Sequence, residues 1–298
     1  MKIFRIVSRN AYVLFLIISC TAYSNPELDM ANKTALPTHQ NYSTAIVTPQ
    51  QSLESIAPTL TADQARSEVL DLLEHNNGCA LPCFWGIIPG ETKWSEKREF
   101  LRSISSQYSN DSDEINSEFF FADLYFPAND IQGPWDLKLE MGIHKDLIRT
   151  ISVSDFDVPS YNLREFLLSN GKPDEIWVFT NSQGFVDSPS RIGFLVSLFY
   201  SQKQMIAAFG RGRADMLSDW INGCIQYSPS LNIWSLDNPF SFPEAANFFY
   251  GNNIIEDGWK KLSEATQGEL DVDRFYETFS KQNTEPCFRT PKSLWSSP

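Results

Sequence analysis

The chain has 298 residues, a formal charge of −13 and 13% aromatic residues. Disordered chains are poor in aromatics, so most of this one folds, with length for one or two domains. So acidic a chain repels nucleic acid and anionic lipid surfaces, and no nucleic-acid partner is expected.

The first ten residues carry Lys2, Arg5 and Arg9 and no acid; residues 11–18 are apolar, and Ser19-Cys20 follow. A charged start, a short apolar run and a small residue before a cut form a secretory signal over 1–19. The run is too short to cross a bilayer, which needs roughly 20 apolar residues. Leu16-Ile17-Ile18-Ser19-Cys20 resembles a bacterial lipobox. That resemblance implies cleavage before Cys20 and lipidation of its thiol and new amine, and hence an extracytoplasmic, membrane-anchored protein of the cell envelope. The competing reading is an ordinary signal peptide with Cys20 incidental. Residues 20–59 are rich in Thr, Ser, Pro, Asn and Gln without an apolar period, and read as a tether.

Residues 60–298 read as the folded part. Thr61 and Gln64 form a capping-box pair, and Ala62, Ala65, Val69, Leu72 and Leu73 follow at helical spacing. A turn-rich stretch over 79–90 leads to a second helix near Thr92, with Trp94, Phe100, Leu101 and Ile104 on one side. Alternation predicts strands at 119–126, 137–143 and 147–153, the last with Leu147, Ile151 and Val153 inward. A helix over 161–169 and strands at 175–180, 193–200 and 204–210 repeat that order. Helix plus three strands therefore recurs, over 92–154 and 160–211, which is compatible with a degenerate tandem repeat. A C-terminal part, 212–298, adds a strand at 231–236 and helices at 242–250 and 271–281. Helices mixed with antiparallel strands, without βαβ alternation, indicate an α+β fold with helices packed on an antiparallel sheet.

Cys79-Ala-Leu-Pro-Cys83-Phe-Trp-Gly-Ile-Ile-Pro-Gly90-Glu-Thr, with the later Gly171-Lys-Pro-Asp-Glu-Ile-Trp, resembles a group of uncharacterised bacterial lipoproteins. Ile88-Pro-Gly-x-Thr92 before a helix and strands is also similar to beta-lactamase-inhibitor-like and BamE-like modules. The second resemblance implies helices on an antiparallel sheet and a function in binding proteins. The cysteine pair and the long C-terminal part depart from the BamE-like pattern.

Chemistry is sparsely equipped. Beyond Cys20, the cysteines are Cys79, Cys83, Cys224 and Cys287, an even set that reads as disulfides in an exported chain. Three pairings are open; Cys79–Cys83 with Cys224–Cys287 is favoured, the second stapling the C-terminal helix to the sheet. A redox or copper role for Cys79/Cys83, with His144 as a third ligand, and a four-cysteine zinc site compete with this structural reading. Histidines number three, His39, His75 and His144, which disfavours histidine-based hydrolysis. Carboxylate catalysis could draw on Asp155/Asp157 or Asp271/Asp273, although a strand end and a helix cap explain them as well. Asp111, Asp113 and Glu114 read as a solvated loop rather than a calcium site. Gly210-Arg-Gly-Arg213 reads as a turn. Trp177 and Phe179 share one strand face opposite Ile176 and Val178, so that face is expected to be covered by helices or to meet a partner. No cofactor or metal is expected. The reading is a non-catalytic membrane-tethered module that binds a protein or envelope polymer. The alternative is an envelope enzyme, working like a glycoside hydrolase through a carboxylate pair or by thiol redox through Cys79/Cys83.

Overall fold

The computed structural model describes residues 60–110, 118–126, 137–154, 156–180, 193–210, 213–237, 239–251, 258–281 and 286–295. By internal contacts the chain divides after Ser52, and all described residues belong to the second unit. The signal peptide, Cys20, the tether, Asp155, Asp111–Glu114 and Arg211-Gly212 lie outside the described residues.

The chain runs through α1 (Ala62–His75), α2 (Trp94–Ile104), β1 (Gln107–Asn110), β2 (Phe119–Phe126), β3 (Leu137–His144) and β4 (Leu147–Ser154). It continues with α3 (Leu163–Asn170), β5 (Glu175–Thr180), β6 (Phe194–Tyr200), β7 (Met205–Phe209), β8 (Arg213–Met216), β9 (Trp220–Cys224) and β10 (Ser230–Trp234). It closes with α4 (Phe242–Tyr250), β11 (Lys260–Lys261), α5 (Leu262–Ala265), α6 (Val272–Lys281) and β12 (Cys287–Pro291). Nine strands form one sheet in the order β1-β2-β3-β4-β10-β7-β6-β5-β11, and β12-β9-β8 form a second. Every pairing among the described strands is antiparallel, so the fold is α+β.

Directly paired residues present their side chains to the same face of a sheet. The register therefore aligns Leu124, Leu139, Val153, Leu231, Ala207, Leu198 and Ile176 in one row across seven strands. All seven are buried. Each large member of such a row contributes about 1.5–3 kcal/mol on leaving water. This face carries the main core. Trp94 of α2 meets Phe120 of β2, and Phe166 of α3 meets Tyr200 and Phe209 edge-on. The small sheet covers the same face: Phe194 of β6 meets Phe288 of β12, and a Cβ on Gly223 of β9 would run into the Phe194 ring. Phe275 and Phe279 of α6 complete the layer.

Local chemistry fixes the ends of the elements. Thr61 and Gln64 form the expected reciprocal cap on α1. The two-residue turn Lys145-Asp146, both at positive φ, closes the β3–β4 hairpin. The same Asp146 caps α2 from a distance: its carboxylate accepts from the Ser95 N–H at 2.9 Å and the Ser95 hydroxyl at 2.7 Å. An acid there also suits the positive end of the helix dipole.

Four expectations need correction. Phe100 is 39% exposed rather than packed with Trp94, Leu101 and Ile104. At about 100° per residue it lies about 40° beyond Ile104, off the edge of the buried stripe. In β4 the buried residue is Ile148, not Leu147. The register shifts at Gly142/Ile143, so Thr150 and Ile148 oppose consecutive residues and Arg149 is the extra one. This bulge turns Arg149 out to Asp237, 2.8 Å away, where unbroken alternation would have pointed it inward. Cys224–Cys287 joins two facing strands of the small sheet, β9 and β12, not the C-terminal helix to the main sheet.

The fourth concerns the repeat. The meanders β2-β3-β4 and β5-β6-β7 both run from an outer part of the sheet toward β10, and β4 and β7 are each antiparallel to it. They are thus mirror-arranged within the sheet, yet α2 and α3 pack on the same face. A rotation that exchanged the two meanders would put the helices on opposite faces. Element order recurs; the three-dimensional unit does not.

The sulfurs of Cys79 and Cys83, and those of Cys224 and Cys287, are paired, with sequence separations of 4 and 63. Loop-closure entropy then ranks them, at about 2 kcal/mol for the short loop and about 4 for the long one. Replacing Cys224 and Cys287 by Ser should cost about twice as much stability in urea denaturation as replacing Cys79 and Cys83. Equal losses would contradict the ranking.

Candidate functional site

The cysteine motif is organised by a residue that precedes it. Asn76 ends α1 in the left-handed conformation, φ 49°, and is buried. Its Nδ2 donates to the carbonyls of Cys79 at 2.7 Å and Cys83 at 2.8 Å, and its Oδ1 accepts from the Trp85 N–H at 2.7 Å. One amide therefore ties both ends of the disulfide loop to the aromatic pair that follows. Phe84, Trp85 and Ile87 are all buried, with Trp85 stacked on Phe84 and edge-on to Phe126 of β2. The following Gly90 sits against Ser235, where a Cβ would come within 2.8 Å of the serine Cβ, and donates to Ile148 of β4 at 2.7 Å. Thr92 Oγ1 accepts from the Ile88 N–H. Phe84, Trp85 and Ile87 thus plug the stretch 79–92 into the core, with Cys79 and Cys83 half-buried and Ala80, Ile88 and Glu91 exposed.

The opposite face of the sheet is divided. Over β2 and β3 it is mixed: Lys138 reaches Asp123 at 3.2 Å and Glu140 at 2.9 Å, while on the same face Phe119 and Phe121 meet edge-on at 5.0 Å, Phe119 being exposed. Burial raises the Asp123 pKa even against this lysine. Over β5, β6, β7 and β10 it is aromatic and roofed by α4. Trp177 stacks on Phe242 with ring centroids 4.8 Å apart, and Phe179 lies 5.6 Å from Trp259. Both are half-buried. Of the two covers expected for that face, the structure supplies the chain's own helix, so Trp177 and Phe179 form no open platform. Two polar atoms in this layer, the Ser197 hydroxyl and the Trp259 indole nitrogen, are buried without a hydrogen bond.

The layer reaches the surface at its rim. Trp234 meets Phe240 and Phe249, Phe240 meets Phe248, and Phe248 meets Phe249. Phe248 is 49% exposed and nearby in sequence Leu236 is 63% exposed. Glu244 anchors the start of α4 by accepting from the Ser241 N–H at 2.8 Å and hydroxyl at 2.7 Å; the backbone bond, then the hydroxyl, holds its carboxyl below the usual range. Where α4 ends, a cleft of about 110 Å³ opens, lined by Phe156, Leu195, Ala208, Gly210, Ser228, Pro229, Ser230 and Tyr250.

The other candidates are spread apart. His75 contacts Asp71, 3.0 Å away on the same helix, while His144 ends β3. Asp157 accepts from the Ser228 N–H at 3.2 Å and hydroxyl at 3.3 Å. Asp271 caps α6 through the Arg274 N–H, and Asp273 pairs with Lys172 at 2.6 Å. Among the described residues no three His, Cys, Asp or Glu side chains converge as metal ligands. Gly210 and Arg213 flank the undescribed 211–212, and Arg213 opens β8. Sequence reasoning missed Asn76, Phe248 and Tyr250. Asn76 had one signal, an Asn one residue past the last helical position, where left-handed caps occur. The Phe248-Phe249-Tyr250 run offered none, since adjacent aromatics do not say which one faces solvent.

Asn76→Ala removes three hydrogen bonds, one buried and two partly buried, worth about 1 kcal/mol each. The variant should lose about 3 kcal/mol in urea denaturation with an unchanged slope; a loss under about 1 kcal/mol would mean the disulfide loop holds itself.

Compared with known protein families, curated proteins and solved structures, the chain matches none of them.

Proposed function

We propose that this chain is a non-catalytic binding module of the bacterial cell envelope, tethered by a lipid on Cys20 and presenting the rim of α4 to a protein or polymer partner. The observation that carries the reading is the aromatic cluster that continues from a buried layer to the surface at Phe240 and Phe248. Exposed apolar surface backed by packed aromatics is where binding energy concentrates in interfaces. Covering the exposed half of one phenylalanine, about 100 Å², is worth about 2 kcal/mol, or about thirtyfold in affinity. The lipid supplies location, because a signal sequence ending in Leu-Ile-Ile-Ser-Cys precedes a polar stretch of about forty residues. The cysteine-redox alternative is less well supported. Cys79 and Cys83 are clamped by Asn76 in a loop whose neighbours are core residues, an arrangement suited to holding shape.

Two measurements test the two halves. Cys20→Ser should move the protein from the membrane to the soluble envelope fraction; unchanged retention refutes the anchor. Crosslinking in intact cells should recover a partner with the native chain. Phe248→Asp should lower the yield at least tenfold without lowering the melting temperature. Equal recovery would remove α4 as the contact surface.

A further inference from the structure

The cleft beside α4 has a composition that narrows what it can hold. At about 110 Å³ it is well below the roughly 300–1,000 Å³ of pockets that enclose a whole ligand. It therefore fits one small substituent of a larger molecule whose remainder stays outside. Its wall is mixed. Phe156, Leu195, Ala208 and Pro229 are apolar, while Ser228, Ser230 and Tyr250 bring hydroxyls. The Ser228 hydroxyl is engaged with Asp157 and Val158. The Tyr250 hydroxyl accepts from Asn232 Nδ2 at 3.0 Å, which leaves its own hydrogen to donate. Ser230 lies two residues along β10 from Asn232, on the same face. The lining residues include no acid, no lysine and no arginine, and burial pushes the Tyr250 phenol up, so it stays protonated. The occupant is therefore neutral, carries a hydrogen-bond acceptor and has an apolar end.

We propose that this cleft receives the acetamido group of an N-acetylated amino sugar, its carbonyl facing the Tyr250 and Ser230 hydroxyls and its methyl facing Leu195, Ala208 and Phe156. The group has four heavy atoms, one acceptor, one N–H and one methyl, which matches the space and both kinds of wall. The proposal rests on the binding-module reading and selects its polymer branch: a glycan carrying such sugars, with one acetamido arm inserted beside α4.

Isothermal titration of the full chain in detergent, with an N-acetylglucosamine oligomer and a glucosamine oligomer of equal length, tests it. The acetylated oligomer should bind at least tenfold more tightly. This preference runs against electrostatics, since the amine form is cationic and the chain acidic. Tyr250→Phe should weaken binding at least tenfold. Ala208→Val, which fills the cleft, should abolish it, with the melting curve of each variant taken alongside. Equal affinity for the two oligomers, no heat with either, or indifference to both variants overturns the cleft assignment. If a partner sensitive to Phe248→Asp is still recovered from cells in that event, the cleft assignment alone has failed; if none is recovered, the binding-module reading fails with it.

Discussion

The large sheet depends on one short strand that arrives late. β10, five residues long, pairs with β4 on one side and β7 on the other, and so joins two meanders that are otherwise separate. Without it both β4 and β7 would be apolar open edges, the arrangement natural sheets avoid. Its pairing with β4 spans more than seventy residues of chain, so the main core closes only after most of the domain has been made. Four of its five residues are buried, as a central strand requires.

That position has a consequence on each face. Leu231 and Ile233 complete the main core beneath the helices and the small sheet. Asn232 and Trp234 point the other way and need a cover of their own, which α4 provides: Trp234 packs against Phe240 and Phe249, and Asn232 gives its amide hydrogen to Tyr250. A polar residue in a central strand is costly unless it is partnered. Asn232 is partnered, and the bond places the Tyr250 hydroxyl beside the cleft. The cleft is thus a by-product of closing the sheet.

Long elements with one clear period were legible in the chain. Thr61 and Gln64 announced α1, alternation from Phe120 to Phe126 announced β2, and Asp271 announced α6. Short strands decided by pairing were not. β8, β9 and β12 have four or five residues each, with Gly223 and Pro291 among them. Pro291 is tolerable because β12 is an edge strand of its sheet, a fact visible only once strand order is known. The bulge at Arg149 hid for a related reason: alternation assumes an unbroken register. The paired cysteines were legible as chemistry, but what Cys287 is stapled to was not, because β12 carries no period of its own. The candidate surface was half legible. Trp177 and Phe179 showed that both faces of β5 are apolar, which implied a cover and said nothing about where that cover ends.

Where the cover ends is what gives this molecule a distinctive surface. On the same face of the same sheet, the half over β2 and β3 mixes the Lys138 pairs to Asp123 and Glu140 with the edge-on rings of Phe119 and Phe121, and Phe119 is left exposed. The half over β5, β6, β7 and β10 is too apolar to be left bare, and α4, nine residues long, is too short to hide all of the aromatic rings it brings. Phe242, Ala245 and Ala246 face inward, so the ring at 248 falls on the outer side of a nine-residue helix. An outward phenylalanine at that place adds nothing to the buried layer that a polar residue would subtract. Its ring contacts with Phe240 and Phe249 instead hold a preformed aromatic patch in place, and ordering that is already complete in the free protein is a cost that a partner does not have to meet on binding.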